Sequence, residues 1–170
     1  MFRIGDRVIH PSYGVGTVIE IEERHTLGNS KRYYSIELLG QPETIVMVPV
    51  GAEERVGLRH PVPAARLGQV WHVLQGDPNE LPSNHDKRCE LVLEKLHGGD
   101  VLKIAEVVRD LAWWREEKRR LTIRGKRLYD RGMALLAGEV ASARGGDLQT
   151  AEHQISRALD KSLHPAIQVQ

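Results

Sequence analysis

The sequence predicts an α+β protein, a small N-terminal β-barrel followed by a C-terminal all-α helical bundle. Three observations carry this reading. Apolar residues alternate with period two from Asp6 to Pro49; after Pro63 they recur every three or four positions; and Gly, Pro and Asn clusters punctuate both halves. The expected division is a barrel domain over 1–60, a helical domain over 61–164 and a flexible tail over 165–170.

The strands come first. Arg7-Val-Ile-His10, Gly16 to Glu22, Arg32 to Leu38 and Thr44 to Val48 are short and rich in β-branched and aromatic residues. Pro11-Ser-Tyr-Gly14 separates the first two, Leu27-Gly-Asn-Ser30 makes a hairpin tip, and Gly40-Gln-Pro42 makes another. Four or five antiparallel strands of this length close most economically into a barrel. The core of so small a barrel is thin, so an exposed edge is either blunted or used to pair with a partner strand.

The helices follow at about 63–75, 83–97, 99–119, 123–143 and 147–162, with breaks at Gly76-Asp-Pro78, Gly98-Gly99, Leu121-Thr122 and Gly145-Gly146. Ser83, Asp100, Thr122 and Asp147 have short side chains suited to accept N–H bonds at helix starts. Core packing is expected for both Trp113 and Trp114.

Composition removes several function classes. With 41% apolar and 28% charged residues the chain reads as a globular protein. It has no apolar run of about 18 residues and no signal-peptide pattern at MFRIGDRVIH, so a cytoplasmic protein without a membrane partner is expected. Cys89 is the single cysteine and can form neither an internal disulfide nor a thiolate metal site. The eight histidines are scattered, with no i, i+4 pair to chelate a metal from one helix face. Phosphate-loop, nucleophile-elbow and zincin motifs are missing, so neither a catalytic site nor a cofactor or metal is expected.

The net charge is only +1, so any nucleic-acid reading depends on where charges sit. Arg115 to Arg131 holds eight basic residues against Glu116, Glu117 and Asp130, a local +5 that spans a helix end, a loop and the next helix start. Ser83 to Arg88 places Lys87 and Arg88 at a helix N-terminus, where free N–H groups suit a phosphate.

Several segments together resemble one family. Phe2-x-Ile-Gly-Asp-x-Val-Ile-x-Pro-x-x-Gly14-Val-Gly, Val48-Pro-Val, Val56-Gly-Leu-Arg59, Val70-Trp-x-Val-Leu74, Leu93-Glu-Lys-Leu-x-x-Gly-Asp100 and Ala105-Glu-Val-Val-Arg-Asp-Leu111 look like the CarD/CdnL transcription regulators, in order and spacing, over about residues 1 to 145. The helical half separates the chain from the polymerase-binding module shared with transcription-repair coupling factors.

The resemblance implies a Tudor-like barrel that docks on the β subunit of RNA polymerase, partly by strand addition, and a helical domain that touches promoter DNA at the upstream edge of the melted region. Arg24 matches a basic family position that contacts polymerase. Met47 matches another, where some members carry Arg, and with Val46, Val48 and Pro49 it completes the expected docking strand. The family's Asn-Trp-x-Arg-Arg motif, whose Trp wedges into the minor groove, reads here as Asn84-His85-Asp86-Lys87-Arg88. His85 therefore occupies the wedge position, with a much smaller face than an indole. Lys87, Arg88, Lys126 and Arg127 match basic positions on the DNA side. A monomer that modulates open-complex stability is expected. The alternative is a polymerase-tethered adaptor that has lost DNA wedging and recruits another protein through its helices.

Overall fold

The computed structural model describes residues 1–165, the side chain of Thr26 apart. Contacts divide the chain into two units, Met1–Pro61 and a second that begins at Val62. Most of the tail expected over 165–170 lies outside the described residues.

The first unit is built on four antiparallel strands, β1 (Arg7–His10), β2 (Gly14–Thr26), β3 (Asn29–Leu38) and β4 (Gln41–Pro49), hydrogen-bonded in the order β1-β2-β3-β4. β1 does not pair with β4, so the sheet curls into a half-barrel and does not close. The curl has a local cause. The β2–β3 register shifts between Val18 and Glu20, leaving Ile19 as an extra residue, and a bulge of this kind bends the strand and tightens its twist. Ile19 is accordingly turned outward, 40% exposed. Gly16 lets the two strands approach: a Cβ there would stand 2.4 Å from Ile36 Cγ2 and 2.7 Å from the Glu37 carbonyl oxygen.

Side chains on the concave face form one core of Phe2, Val8, Val18, Tyr34, Ile36, Val48 and Leu58. Tyr34 is its polar tie. The hydroxyl accepts from the Phe2 N–H at 3.3 Å and donates to Glu53 Oε1 at 2.7 Å, fixing the chain start to α1 (Glu53–Val56), a single helical turn that the apolar pattern does not predict. The Glu53 backbone N–H, then the Tyr34 hydroxyl and the Gly51 N–H, hold the Glu53 carboxyl below its ordinary value. Burial raises the Tyr34 phenol.

The second unit opens with a 3₁₀ turn at Ala64–Arg66 and continues as α2 (Leu67–Gln75), α3 (His85–His97), α4 (Val101–Lys118), α5 (Ile123–Arg144) and α6 (Leu148–Leu163). Asp100, Thr122 and Asp147 cap their helices by accepting from Leu102, Gly125 and Thr150 N–H groups. At α3 the cap is Asn84, which accepts from the Lys87 N–H at 3.0 Å, so the helix starts two residues later than expected. α4 is the central helix and packs on α2, α3, α5 and α6. Its Ile104, Val108 and Leu111 are buried, as are Leu96 of α3, Leu136 of α5 and Ile155 of α6. Gly132 on α5 admits Val107 and Val108 of α4 so closely that an added Cβ would sit 3.3–3.4 Å from their methyl groups.

A buried polar knot holds the irregular segment between α2 and α3. Asp110 Oδ1 is 2.8 Å from the Arg109 guanidinium and accepts from the Asn79 N–H at 3.0 Å; Arg109 Nη1 donates to the Val73 carbonyl at 3.1 Å. The Arg-Asp pair of the Ala105–Leu111 stretch is thus part of the scaffold. The two tryptophans depart from expectation. Trp113 and Trp114 are half-buried, and both line an open cavity with Pro78, Leu81 and Asp110. Among the described residues no helix is long and apolar enough to cross a membrane.

Candidate docking edge and nucleic-acid face

β4 is a bare edge of the half-barrel, whereas β1 is covered at one residue and β2 beyond Val18 extends past β1. On β1, Ile9 exchanges both backbone hydrogen bonds with Arg59, at 2.7 and 3.1 Å. Among the described residues β4 pairs with β3 alone. The Val50 N–H donates to the Arg32 carbonyl, so antiparallel alternation turns the main-chain groups of Met47 and Ile45 toward the open side. Pro49 ends this edge, because it has no N–H and its carbonyl accepts from Ala52 at 3.0 Å.

The alternation also sorts the side chains. Val48 is 2% exposed in the core and the partly buried Val46 packs against it, so the side chains of these two expected docking residues face the barrel interior. Met47 sits on the opposite face and Ile45 is 53% exposed there. The register Glu20↔Ser35↔Met47 and Arg24↔Lys31 places Arg24, Lys31 and Met47 on that same face. Arg24 and Met47 are separated along β3 by four residues, about 13 Å. Arg24 pairs with Glu22 at 3.2 Å and stays more than half exposed. Arg24 and Ser35 both donate to the Glu22 carboxyl and hold it below its ordinary value. Two cations facing each other across the hairpin, Arg24 and Lys31, form a spot that an acidic partner would relieve.

In the helical unit the N-termini of α3 and α5 come together. Arg124 Nη1 lies 3.9 Å from Asp86 Oδ1, and His85, Arg88 and Cys89 share a narrow crevice with Leu121, Thr122 and Gly125. Around this seam Lys87, Lys126 and Arg127 are exposed. Lys126 pairs with Asp130 at 2.8 Å on the open surface, where such a pair is weak, and Arg127 has no ion-pair partner among the described residues.

Arg88 departs from expectation. It is 9% exposed; its Nη1 donates to the Pro82 and Ser83 carbonyls at 2.8 and 3.0 Å, and its guanidinium carbon lies 4.1 Å from the Trp114 ring centroid. The side chain clamps the turn before α3 and is not presented to a phosphate. His85 is half-buried beside it, with Nδ1 3.4 Å from Arg88 Nη2, so its ring is tied to the scaffold on one side.

The structure adds Ile123 to the face, a residue the sequence reading passes over. As the first residue of α5 it is 78% exposed, one turn from Lys126 and Arg127, and flanked by Arg124. A signal existed: the buried positions of α5 run through Gly125, Leu128, Tyr129 and Gly132, and Ile123 lies off that stripe. Arg115 stacks on Tyr129 at 4.9 Å, and Arg131 is also partnered, so the +5 cluster offers fewer free cations than its count suggests.

Residues 2–62 match the CarD-like/TRCF RID domain, and residues 69–156 match the C-terminal domain of CarD. The chain belongs to the CarD family. It is also similar to a Bacillus subtilis (strain 168) protein named "Putative transcription factor YdeB", 28% identical over 145 residues that cover 85% of this chain and 94% of the relative. The two CarD matches correspond to the half-barrel and to the helices from α2 into α6. CarD proteins are transcription factors, which gives the bare edge and the basic helix seam a setting.

Proposed function

We propose that this CarD-family chain regulates transcription by holding the β subunit of RNA polymerase at the bare β4 edge and promoter DNA, at the upstream edge of the bubble, at the α3–α5 seam. It acts in the cytoplasm as a monomer and catalyses no reaction. The observation that carries the reading is the seam itself: two capped helix N-termini joined by Arg124 and Asp86, with Lys87, Lys126 and Arg127 exposed around them. Helix N-termini and exposed cations suit the sugar–phosphate backbone, whose contacts position a protein without reading bases. On the barrel side, Met47 and Ile45 supply main-chain donors and acceptors for an added strand, and Arg24 supplies charge on the same face.

A regulator of this kind needs no chemistry. If it binds the open promoter complex more tightly than the closed one, the population shifts toward the open state, and about 1.4 kcal/mol of preference shifts it tenfold. The test is open-complex lifetime on one weak promoter with purified bacterial polymerase, with and without the protein. A longer lifetime that Arg24→Glu abolishes supports the reading.

The adaptor reading keeps a specific observation in its favour. The wedge position carries His85 rather than Trp, and Arg88 beside it is internally committed. An adaptor would keep polymerase binding while Lys87, Lys126 and Arg127 could be neutralised without changing promoter affinity or its salt dependence.

A further inference from the structure

A second cationic feature stands at the far end of the helical unit. Ile123 to Arg144 spans α5, about 31 Å at the helical rise, so the C-terminal end of α5 lies well away from the seam. There, α2 and α6 flank an open cavity of about 350 Å³ lined by Trp71, Gln75, Arg144, Gln154, Arg157 and Lys161. The lining is ordered by helical spacing. Trp71 and Gln75 are one turn apart on α2; Gln154, Arg157 and Lys161 follow one another along a single face of α6. Ala158, set between the two cations, keeps the floor of the cavity open.

Its charge is one-sided. Three cations line it and no carboxylate does, unlike the cavity beside Trp113, which contains Glu80, Asp110 and Glu117. Among the described residues, Arg157 and Lys161 have no ion-pair partner. Arg144 lies over the Trp71 ring at 5.4 Å from its centroid and donates to Gln154 Oε1 at 3.0 Å, so an indole face, a guanidinium and a carboxamide are already held together. Like charges on adjacent turns cost stability unless an anion separates them.

We propose that this cleft binds a nucleoside polyphosphate. Arg157 and Lys161 take the phosphates, the Trp71–Arg144 pair provides the stacking surface for the base, and the Gln75 and Gln154 carboxamides reach its edge. The cavity is within the size range of small-molecule sites. A simple anion would use the cations and leave the indole idle; an apolar ligand would do the reverse. Duplex DNA keeps its bases stacked inside the helix, where Trp71 cannot reach their faces. The site is independent of the proposed promoter contact, from which the length of α5 separates it.

The test is calorimetric titration of the full chain with GTP, alongside inorganic tripolyphosphate, guanosine and a short single-stranded oligonucleotide. GTP is expected to bind with Kd below ~1 mM. The exposed double variant Arg157→Glu/Lys161→Glu should weaken it at least about tenfold, and Trp71→Leu should weaken GTP by about tenfold while leaving tripolyphosphate unchanged. Absence of GTP binding, or GTP binding that the double variant leaves intact, overturns the proposal. Tripolyphosphate binding as tightly as GTP removes the nucleoside from it, and oligonucleotide binding without GTP binding assigns the cleft to a nucleic-acid strand instead.

Discussion

The guanidinium of Arg88 lies 4.1 Å from the ring centroid of Trp114, with the Pro82 and Ser83 carbonyls closing its other side. A cation that reads as a phosphate contact in sequence is instead the pin that joins the α3 entry to α4. Arg88→Ala should therefore destabilise the helical unit by about 1–2 kcal/mol, because two partly buried hydrogen bonds lose their charged donor and the indole loses its cation. Arg88→Lys should recover only part of this, since an ammonium cannot lie flat on the ring and span both carbonyls. Denaturant unfolding measures the loss; a wild-type midpoint in Arg88→Ala would contradict it.

On the proposed promoter reading, the free cations behave differently from Arg88. Neutralising Lys87 or Arg127 should weaken promoter binding for all sequences and lower the slope of log affinity against log salt by about 0.9 for each phosphate no longer neutralised, with folding unchanged. Affinity measured across a salt series separates this from the adaptor reading, which expects an unchanged slope.

Ile123 and His85 divide the wedge question. Ile123 is exposed, so Ile123→Ala should change stability by less than about 0.5 kcal/mol. If the promoter reading holds, the same change should shorten the open-complex lifetime, since a branched apolar side chain amid cations is suited to lean against an unstacked base step. His85→Trp should lengthen it. An unchanged lifetime in both variants would place the wedge elsewhere on the chain.

The Arg109–Asp110 pair should be the costliest to break. Asp110→Ala leaves Arg109 charged and buried and frees the Asn79 N–H, a loss of about 3–5 kcal/mol. Its readout is the unfolding midpoint of the full chain, together with increased proteolysis between Gly76 and Pro82.

Acid should weaken the helical unit through Glu106. Burial acts to raise its carboxyl, but hydrogen bonds and charge from Lys95, helped by Lys103, hold it below its ordinary value. A depressed folded-state value means that the stabilisation is present above the ordinary glutamate range and is lost as pH falls through the folded value. Glu106→Gln should cost about 1 kcal/mol near neutral pH and flatten the stability curve below about pH 4.5. Unfolding curves recorded from pH 7 down to acid check both effects.

Much of the fold could be read from periodicity, because burial acts on every second residue in a strand and every third or fourth in a helix. The four strands and five long helices follow that rule, and the caps at Asp100, Thr122 and Asp147 follow from side-chain chemistry. What escaped were features decided by tertiary neighbours. α1 has no buried residue of its own, and is recognisable only through Tyr34 reaching Glu53. Ser83 and Asn84 are equally good caps in isolation, and the packing of Arg88 onto the Ser83 carbonyl selects Asn84. The candidate face was legible in the basic run, but which of its cations are free was not. Arg88, Arg115 and Lys87 look alike in sequence, and only the positions of Trp114 and Tyr129 separate them.

The bridge between Ile9 and Arg59 biases where the sheet can grow. A sheet with two bare edges can accept a neighbour on each side and extend without limit, as fibres do. With β1 engaged at Ile9 by the chain's own backbone, an added strand is steered toward the β4 side. Two copies meeting along β4 would occupy each other's edge, so a partner strand that arrives there first competes directly with self-association.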